Sequence, residues 1–218
     1  MECFFIVMIG WVFSVCLHEF AHAWVAYKGG DYTVREKGYL TFNPLKYTDK
    51  YFSILLPILF LIIGGIGLPG GAVYINRSLL RSRGRETAVS LAGPAANLLL
   101  VLILGALFKF GIVKPDPSSL AAVSLAFLLH LQISAIILNL LPLPPLDGFG
   151  AIAPWLSESA RQRGYANATV AFFVLFIALS FVPTVNHAFW SAVYRIDELF
   201  GIDRDLIRVG WRTFRFWG

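Results

Sequence analysis

Apolar runs long enough to cross a lipid bilayer constrain this sequence more than any other feature. About 20 residues suffice for one crossing, and the runs at 3–27, 51–75, 87–110 and 119–141 all reach that length. Charged residues make up 14% of the chain, against roughly 25% in soluble domains, and they cluster between the runs. We therefore predict an all-α polytopic membrane protein whose helical bundle forms a single domain, residues 1–218.

The positive net charge is explained by the membrane setting. The chain carries a formal charge of +5, but loop lysines and arginines of a membrane protein report orientation and contact with anionic lipid headgroups. We therefore expect the lipid bilayer as a partner and no nucleic acid. Cys3 and Cys16 both lie in the first run and match no metal motif, so we interpret them as packing residues.

Three regions depart from a plain helical pattern. The run 51–75 contains two prolines and two glycine pairs, so it is not one straight helix. Within the polar loop 31–49, "YTVREKGYLTF" has the pattern of two short strands around a turn. A shorter apolar run at 168–183 precedes an aromatic- and arginine-rich tail. We predict a core over about 1–150 with short membrane-associated β-strands, followed at 151–218 by a membrane segment and an amphipathic tail.

The stretch "CLHEFAHA" at 16–23 places three ionisable residues inside the first apolar run. His18 and His22 are four residues apart, so on a helix they share one face and can hold one zinc ion. Glu19 lies beside them and can take a proton from water that the zinc activates, the logic of the H-E-x-x-H metalloprotease motif. The alternative is a buried polar packing cluster, but ionisable groups inside a membrane segment indicate function by default.

A zinc site of this kind needs a third protein ligand. The candidates are His130, His187, Asp116 and Asp147. Asp147 stands out because "NLLPLPPLDGFG" is an apolar, proline-rich segment with a single carboxylate. Irregular backbone of this kind is tolerated at membrane depth only where protein or a water-filled cavity lines it.

Together, "HEFAH" and "NLLPLPPLDG" resemble the site-2 protease family of intramembrane zinc metalloproteases. The stretches "GYLTFNPL" and "AGPAAN" resemble its compact bacterial and archaeal members, and the resemblance covers about residues 10–150. It implies one Zn²⁺ per chain held by His18, His22 and Asp147, with Glu19 as the catalytic carboxylate. It also implies membrane-spanning protein substrates, cleaved in regulated intramembrane proteolysis. Many members carry an inserted PDZ or CBS domain, which this sequence lacks.

Two further groups of residues are candidates for substrate contact. Asn97 and Asn139 are amides inside apolar helices; each can donate to the oxyanion of the reaction or simply bond a neighbouring helix. The segment "GAVYI" can offer a strand edge to an unwound substrate, or it can be only the return arm of the broken run. Its residues are Gly71, Ala72, Val73, Tyr74 and Ile75.

The three ligands must meet at one depth, which sets the topology. The first helix and the 119–141 helix must then run parallel, so the chain between them crosses the membrane an odd number of times. Since 87–110 is one clean crossing, 51–75 should be a re-entrant segment. The basic stretches 28–50 and 77–85 then share one side, which the positive-inside rule makes cytoplasmic. We expect a prokaryotic inner-membrane protein with its metal nearer the cytoplasmic face.

A zinc or proton transporter is the alternative function, because it would use the same intramembrane ligands. Transporters usually place ionisable groups along a path on both sides of the midplane, whereas here all except His130 converge on one side. A Glu19→Gln variant separates the two functions. It should stop proteolysis while zinc stays bound, and it should affect transport much less.

Overall fold

The computed structural model describes residues 1–47 and 73–217, and within them every regular element is a helix. In chain order the α-helices are α1 (Glu2–Gly29), α2 (Thr33–Glu36), α3 (Arg83–Lys109), α4 (Leu120–Asn139), α5 (Asp147–Ile152), α6 (Glu158–Ala166), α7 (Ala168–Phe181), α8 (Pro183–Leu199) and α9 (Arg204–Phe214). Three 3₁₀ helices accompany them: Pro44–Lys46, Arg77–Leu79 and Ala153–Trp155. In this part of the chain α1, α3 and α4 are long and apolar enough to cross a membrane, and α6 with α7 would be a fourth span, bent by 63°. The predicted all-α architecture is confirmed.

The central helix of the bundle is α4. In its most apolar stretch 72% of the residues are buried, against 39% for α1 and 33% for α3. The outer helices instead expose large apolar side chains, as expected of surfaces that face lipid. On α3 these are Leu98, Leu99, Leu102 and Ile103.

Contacts along the helices fix their relative directions. Gly10 of α1 packs against Leu128 of α4, and one turn later the Gln132 Nε2 atom donates to Ser14 Oγ over 2.7 Å. Both sequence numbers rise together, so α1 and α4 run parallel, as the sequence predicts. In contrast, the Arg85 guanidinium at the start of α3 donates to the Gly29 carbonyl at the end of α1 over 3.1 Å, so α3 is antiparallel to both.

The two basic stretches lie at one end of the bundle. Besides the Arg85–Gly29 contact, the Asn76 backbone N–H donates to Asp31 Oδ2 over 2.7 Å. The chain therefore leaves α1 and enters α3 at the same end. Of the predicted re-entrant run 51–75, all but 73–75 lies outside the described residues, so the re-entrant path stays a prediction.

The predicted short strands are not seen in the described residues. Within "YTVREKGYLTF" the residues Thr33–Glu36 form the short helix α2 instead. Asp31 explains this difference, because its Oδ1 atom accepts hydrogen bonds from the Thr33 backbone N–H (3.1 Å) and the Thr33 hydroxyl (2.6 Å). Such a side chain satisfies the free N–H groups that open a helical turn.

The last helix, α9, is amphipathic and packs back onto the bundle. It buries Leu206, Ile207 and Phe214, and the Phe214 ring lies 5.2 Å from the Phe4 ring, centroid to centroid. Helix α9 therefore lies at the end where α1 begins, opposite the end that carries the basic stretches.

Candidate metal centre

The first half of the site comes from one face of α1. His18, Glu19 and His22 are 5%, 5% and 7% exposed, in a helix whose other residues are mostly apolar. The helical period puts the two imidazoles one turn apart, and their Nε2 atoms lie 3.0 Å from each other. Two nitrogen ligands therefore point to the same place from inside the bundle.

Asp147 completes the cluster from the start of α5. Its Oδ2 atom lies 3.2 Å from His18 Nε2 and its Oδ1 atom 3.3 Å from His22 Nε2. One ligand atom from each of the three residues lies within 4.8 Å of the others. Asp147, chosen from sequence for its apolar, proline-rich setting, is thus brought together with the two histidines 129 and 125 residues before it.

Small residues and hydrogen bonds hold α5 in position. A Cβ atom on Gly148 would lie 2.3 Å from the Leu140 carbonyl oxygen, so the chain turns back tightly after α4 and only a glycine fits. On the other side the Thr87 hydroxyl of α3 donates to the Ala151 carbonyl over 2.7 Å and accepts from Trp155 Nε1 over 2.9 Å. These contacts fix Asp147 relative to both α3 and α4.

The donor set and the space around it fit a zinc ion. Ligand atoms at roughly 2.1 Å from zinc in tetrahedral geometry lie about 3.4 Å apart, close to the 3.0–3.3 Å separations seen here. Space is kept by Gly93 of α3, where a Cβ atom would lie 2.3 Å from His22 Nε2 and 2.5 Å from His18 Nε2. Two imidazoles and one carboxylate leave one of four positions open, as catalytic zinc sites do.

A backbone carbonyl orients His22. Its Nδ1 atom lies 2.6 Å from the Val89 carbonyl oxygen, and a carbonyl only accepts, so Nδ1 carries the proton. The Nε2 lone pair then faces the cluster. Metal-binding histidines are commonly oriented in this way, by a hydrogen bond from the ring nitrogen that does not bind the metal. Pro94 within α3 removes the helical hydrogen bond to the Ser90 carbonyl, which loosens the helix next to Val89.

Glu19 is held by the segment predicted to bind substrate. The Val73 backbone N–H donates to Glu19 Oε2 over 3.1 Å. This contact leaves the second carboxylate oxygen for other partners. Val73 thus positions the candidate general base, a role that its own sequence pattern does not indicate.

The remaining predicted residues lie around this centre. Asn97 is one helical turn beyond Gly93 on α3, is 5% exposed, and its Oδ1 atom has no hydrogen-bond partner in the described chain. Asn139 is the last residue of α4 and is 2% exposed. Tyr74 and Ile75 follow Val73 without forming a strand, and the predicted residues Gly71 and Ala72 lie outside the described residues.

Tyr47 makes a further contact with α1 that sequence reasoning missed. Its hydroxyl lies 3.1 Å from the Cys16 carbonyl oxygen and also contacts the Thr41 carbonyl. Burial raises the pKa of this phenol, and Cys16 and Glu19 raise it further, so the hydroxyl stays neutral and donates. It ties the loop after α2 to the turn of α1 just before Glu19.

A buried glutamate beside two imidazoles and a carboxylate, enclosed by apolar helices, defines the class: an integral membrane metalloenzyme. Comparison with known proteins identifies the group within it. The family model described as "Peptidase family M50" matches residues 4–116, just over half of the chain. The chain belongs to this family and is a metallopeptidase.

Several relatives cover nearly the whole chain. The protein named "Putative zinc metalloprotease Rip2" of Mycolicibacterium smegmatis is 44% identical over 98% of this chain and 81% of its own length. Its namesake in Mycobacterium tuberculosis is 42% identical with the same coverage. "Putative zinc metalloprotease YwhC" of Bacillus subtilis is 32% identical over 84% of each chain. These names agree with the predicted Zn²⁺ cofactor, and no solved structure gives a significant match.

Proposed function

We propose that this metallopeptidase is an intramembrane zinc protease that hydrolyses peptide bonds in or near transmembrane segments of membrane proteins. The observation that carries the proposal is the depth of the ligand cluster. His18 lies 16 residues after the start of the 28-residue helix α1, which is roughly 24 Å of helical rise. Some 17 Å of the same helix follow it. Both distances support a position of the cluster inside a hydrocarbon layer about 30 Å thick.

His18, His22 and Asp147 would hold the zinc ion. The bound ion supplies a Lewis acid that polarises the scissile carbonyl and activates water. The chain's own residues prepare the site for it. Val89 holds the proton on His22 Nδ1, so that Nε2 is a free ligand. The Asp147 carboxylate contributes a negative charge between the two imidazoles, which favours a cation there.

Glu19 would carry the proton during hydrolysis. One carboxylate oxygen stays bonded to the Val73 N–H, which holds the plane of the group. The other oxygen accepts the proton of the attacking water and then delivers it to the nitrogen of the leaving amine. Because Glu19 is buried, bulk water does not compete for this proton.

A substrate helix must unwind before attack, and its freed backbone groups then need partners away from water. Asn97 and Asn139 can donate to the developing oxyanion, and the segment 71–75 can pair with the opened strand. The position of Asn97 supports the first suggestion, because it lies one helical turn beyond Gly93, which packs against His18 and His22, and its Nδ2 group would be the donor.

We place the metal nearer the cytoplasmic face of a prokaryotic inner membrane. The basic stretches before and after 48–72 meet at the metal end of the bundle, which supports this orientation. Cysteines introduced at 68–70, on a background lacking Cys3 and Cys16, should not react with an impermeant thiol reagent added from outside. Strong outside labelling would contradict the re-entrant segment.

A cleavage assay in proteoliposomes tests the proposed activity. The substrate is a membrane-anchored protein with its transmembrane segment intact, and the matched control is a soluble peptide of the same scissile sequence. Wild-type protein should cleave the anchored substrate preferentially. Glu19→Gln keeps an acceptor for the Val73 N–H, so zinc should remain at one ion per chain while cleavage falls by about 10²–10⁴-fold.

The same vesicles test the transporter alternative. Zinc uptake and proton flux are measured with wild-type protein and with Glu19→Gln. Uptake by both proteins, with no cleavage by either, would overturn the protease proposal. Equal cleavage of the anchored and soluble substrates would overturn only its intramembrane part.

A further inference from the structure

A second site lies at the end of the bundle away from the metal cluster. An open cavity of about 490 Å³, which we call the distal cavity, is lined by α4, α8 and α9. Its volume is within the range of pockets that bind small molecules, roughly 300–1,000 Å³. The lining residues that matter here are His130, His187, Trp190, Arg204, Arg208 and Trp211.

At the base of the distal cavity His130 makes a buried hydrogen bond to Asp197. His130 is 4% exposed and Asp197 is 0% exposed, and the His130 Nδ1–H donates to Asp197 Oδ2 over 2.7 Å. The imidazole also stacks on the Trp190 and Tyr194 rings, at 5.4 and 5.1 Å between centroids. Since Nδ1 is occupied, Nε2 is the ring nitrogen left for a ligand. Asp197 lies behind the imidazole and does not line the cavity.

The rim of the cavity is cationic. Arg204 and Arg208 are one turn apart on α9, and none of the lining residues is acidic. Their carboxylate partners lie outside the cavity: Glu198 is 3.9 Å from Arg204, and Asp205 is 2.8 Å from Arg208. All four side chains are more than half exposed, so these pairs are weak and can exchange for a less solvated anion. The chemistry selects a compact anion that accepts several hydrogen bonds, which a phosphate group does.

The position of the cavity selects a lipid as the source of that phosphate. Helix α9 lies beside the start of the spanning helix α1, so the arginine rim lies near the headgroups, whereas His130 lies ten residues, roughly 15 Å, into α4. Two tryptophans line the cavity, and tryptophan is typical of the membrane–water interface. The neighbouring helix α7 exposes a continuous apolar surface that can pack against acyl chains: Val170, Phe173, Val174, Ile177 and Phe181.

We propose that the distal cavity binds the phosphate headgroup of an anionic membrane phospholipid, with Arg204 and Arg208 on the phosphate oxygens and His130 at the base. The lipid would then sit in the leaflet opposite the metal cluster. It would hold α8 and α9 against α4, the central helix of the bundle.

Native mass spectrometry of the full chain in detergent tests this proposal. Phosphatidylglycerol and phosphatidylcholine of the same acyl composition are added in matched series. Wild-type protein should retain one phosphatidylglycerol molecule in preference to phosphatidylcholine. The double variant Arg204→Ala/Arg208→Ala should lower that affinity by on the order of tenfold or more, since each arginine near a lipid phosphate contributes about 1 kcal/mol.

The matched control is Arg195→Ala/Arg212→Ala, which removes the same charge from α8 and α9 at exposed positions outside the cavity. It should retain phosphatidylglycerol as wild type does. An equal loss in both double variants would show only general charge attraction and would overturn the site. So would equal retention of both lipids by wild-type protein.

A competition arm separates the two sources of phosphate. Inorganic phosphate and glycerol phosphate are added at millimolar concentration to the phosphatidylglycerol complex. Retention of the lipid supports the proposal. Displacement by either soluble anion would overturn the lipid assignment in favour of a free phosphate ligand. Zinc content and thermal melting of each variant verify that it is folded.

Discussion

Both ends of the bundle bury histidine next to a carboxylate, but the two arrangements differ in how many imidazoles share it. At the metal end two imidazoles converge on Asp147, at 3.2 and 3.3 Å. At the distal end one imidazole makes a single 2.7 Å hydrogen bond to Asp197. The Asp147 side chain is 20% exposed, whereas that of Asp197 is 0% exposed.

These differences distinguish the candidate metal ligands at one end from a hydrogen-bonded pair that holds two helices together at the other. In a one-to-one pair the imidazole N–H has its acceptor and one carboxylate oxygen has its donor. Two imidazoles on one carboxylate, with the His22 proton already given to Val89, leave at most the His18 proton for several converging acceptors. Only a cation or added protons relieve that arrangement. An intramembrane histidine and carboxylate therefore do not by themselves indicate a metal site; the count of converging donors does.

The largest difference is expected between two variants that each replace one of these aspartates by asparagine. Replacing a residue that hydrogen-bonds to a metal ligand typically lowers metal affinity roughly 10–100-fold. Asp147→Asn should lower zinc affinity by more than this, because the charge of a ligand is lost. Asp197→Asn, the matched change at the distal end, should leave one zinc per chain. Metal analysis after dialysis against a graded chelator measures both. Full zinc occupancy in Asp147→Asn would show that Asp147 is not a ligand. Zinc loss in a folded Asp197→Asn would show that the distal pair is not independent of the metal.

Sequence reasoning singled out the three clustered residues because each has a local signature. The four-residue spacing of His18 and His22 follows from the helical period, and Asp147 is conspicuous in an apolar, proline-rich segment. The partner of His130 had no such signature, since Asp197 is 67 residues away. The same holds for the Val89 carbonyl, because any residue supplies one.

Packing between helices also explains why a glycine is needed at position 93, which the sequence did not show. Within "AGPAAN" it is one of several small residues, and only the approach of α3 to the two imidazoles makes its missing side chain necessary. The strand pattern at 32–42 failed for a local reason instead, since the Asp31 side chain opens a helical turn there.

An intermediate effect is expected where the backbone of α3 approaches the ligands. Gly93→Ala places a Cβ atom 2.3 Å from His22 Nε2, so the imidazoles or the helix must shift. We expect zinc affinity to fall about 10–100-fold, with cleavage falling in parallel. Gly84→Ala on the same helix is the control, because its Cβ would meet only Ser82 Oγ, at 4.0 Å. Wild-type zinc affinity in Gly93→Ala would mean that α3 does not confine the cluster.

The smallest effect on the metal is expected from His130→Gln, which changes only the distal pair. The variant should keep one zinc per chain and a substantial fraction of proteolytic activity, because nine further residues of α4, roughly 14 Å of rise, follow His130 before the turn that carries Asp147. Stability should respond instead. Asp197 is fully buried, and glutamine offers a donor with different reach and without the rigid ring that stacks on Trp190 and Tyr194. We expect a loss of about 1–3 kcal/mol in the free energy of unfolding, measured by thermal melting in detergent beside zinc analysis. Zinc loss from a folded His130→Gln protein would contradict this expectation. It would show that the His130–Asp197 pair affects the metal centre and does not act only as a contact between helices.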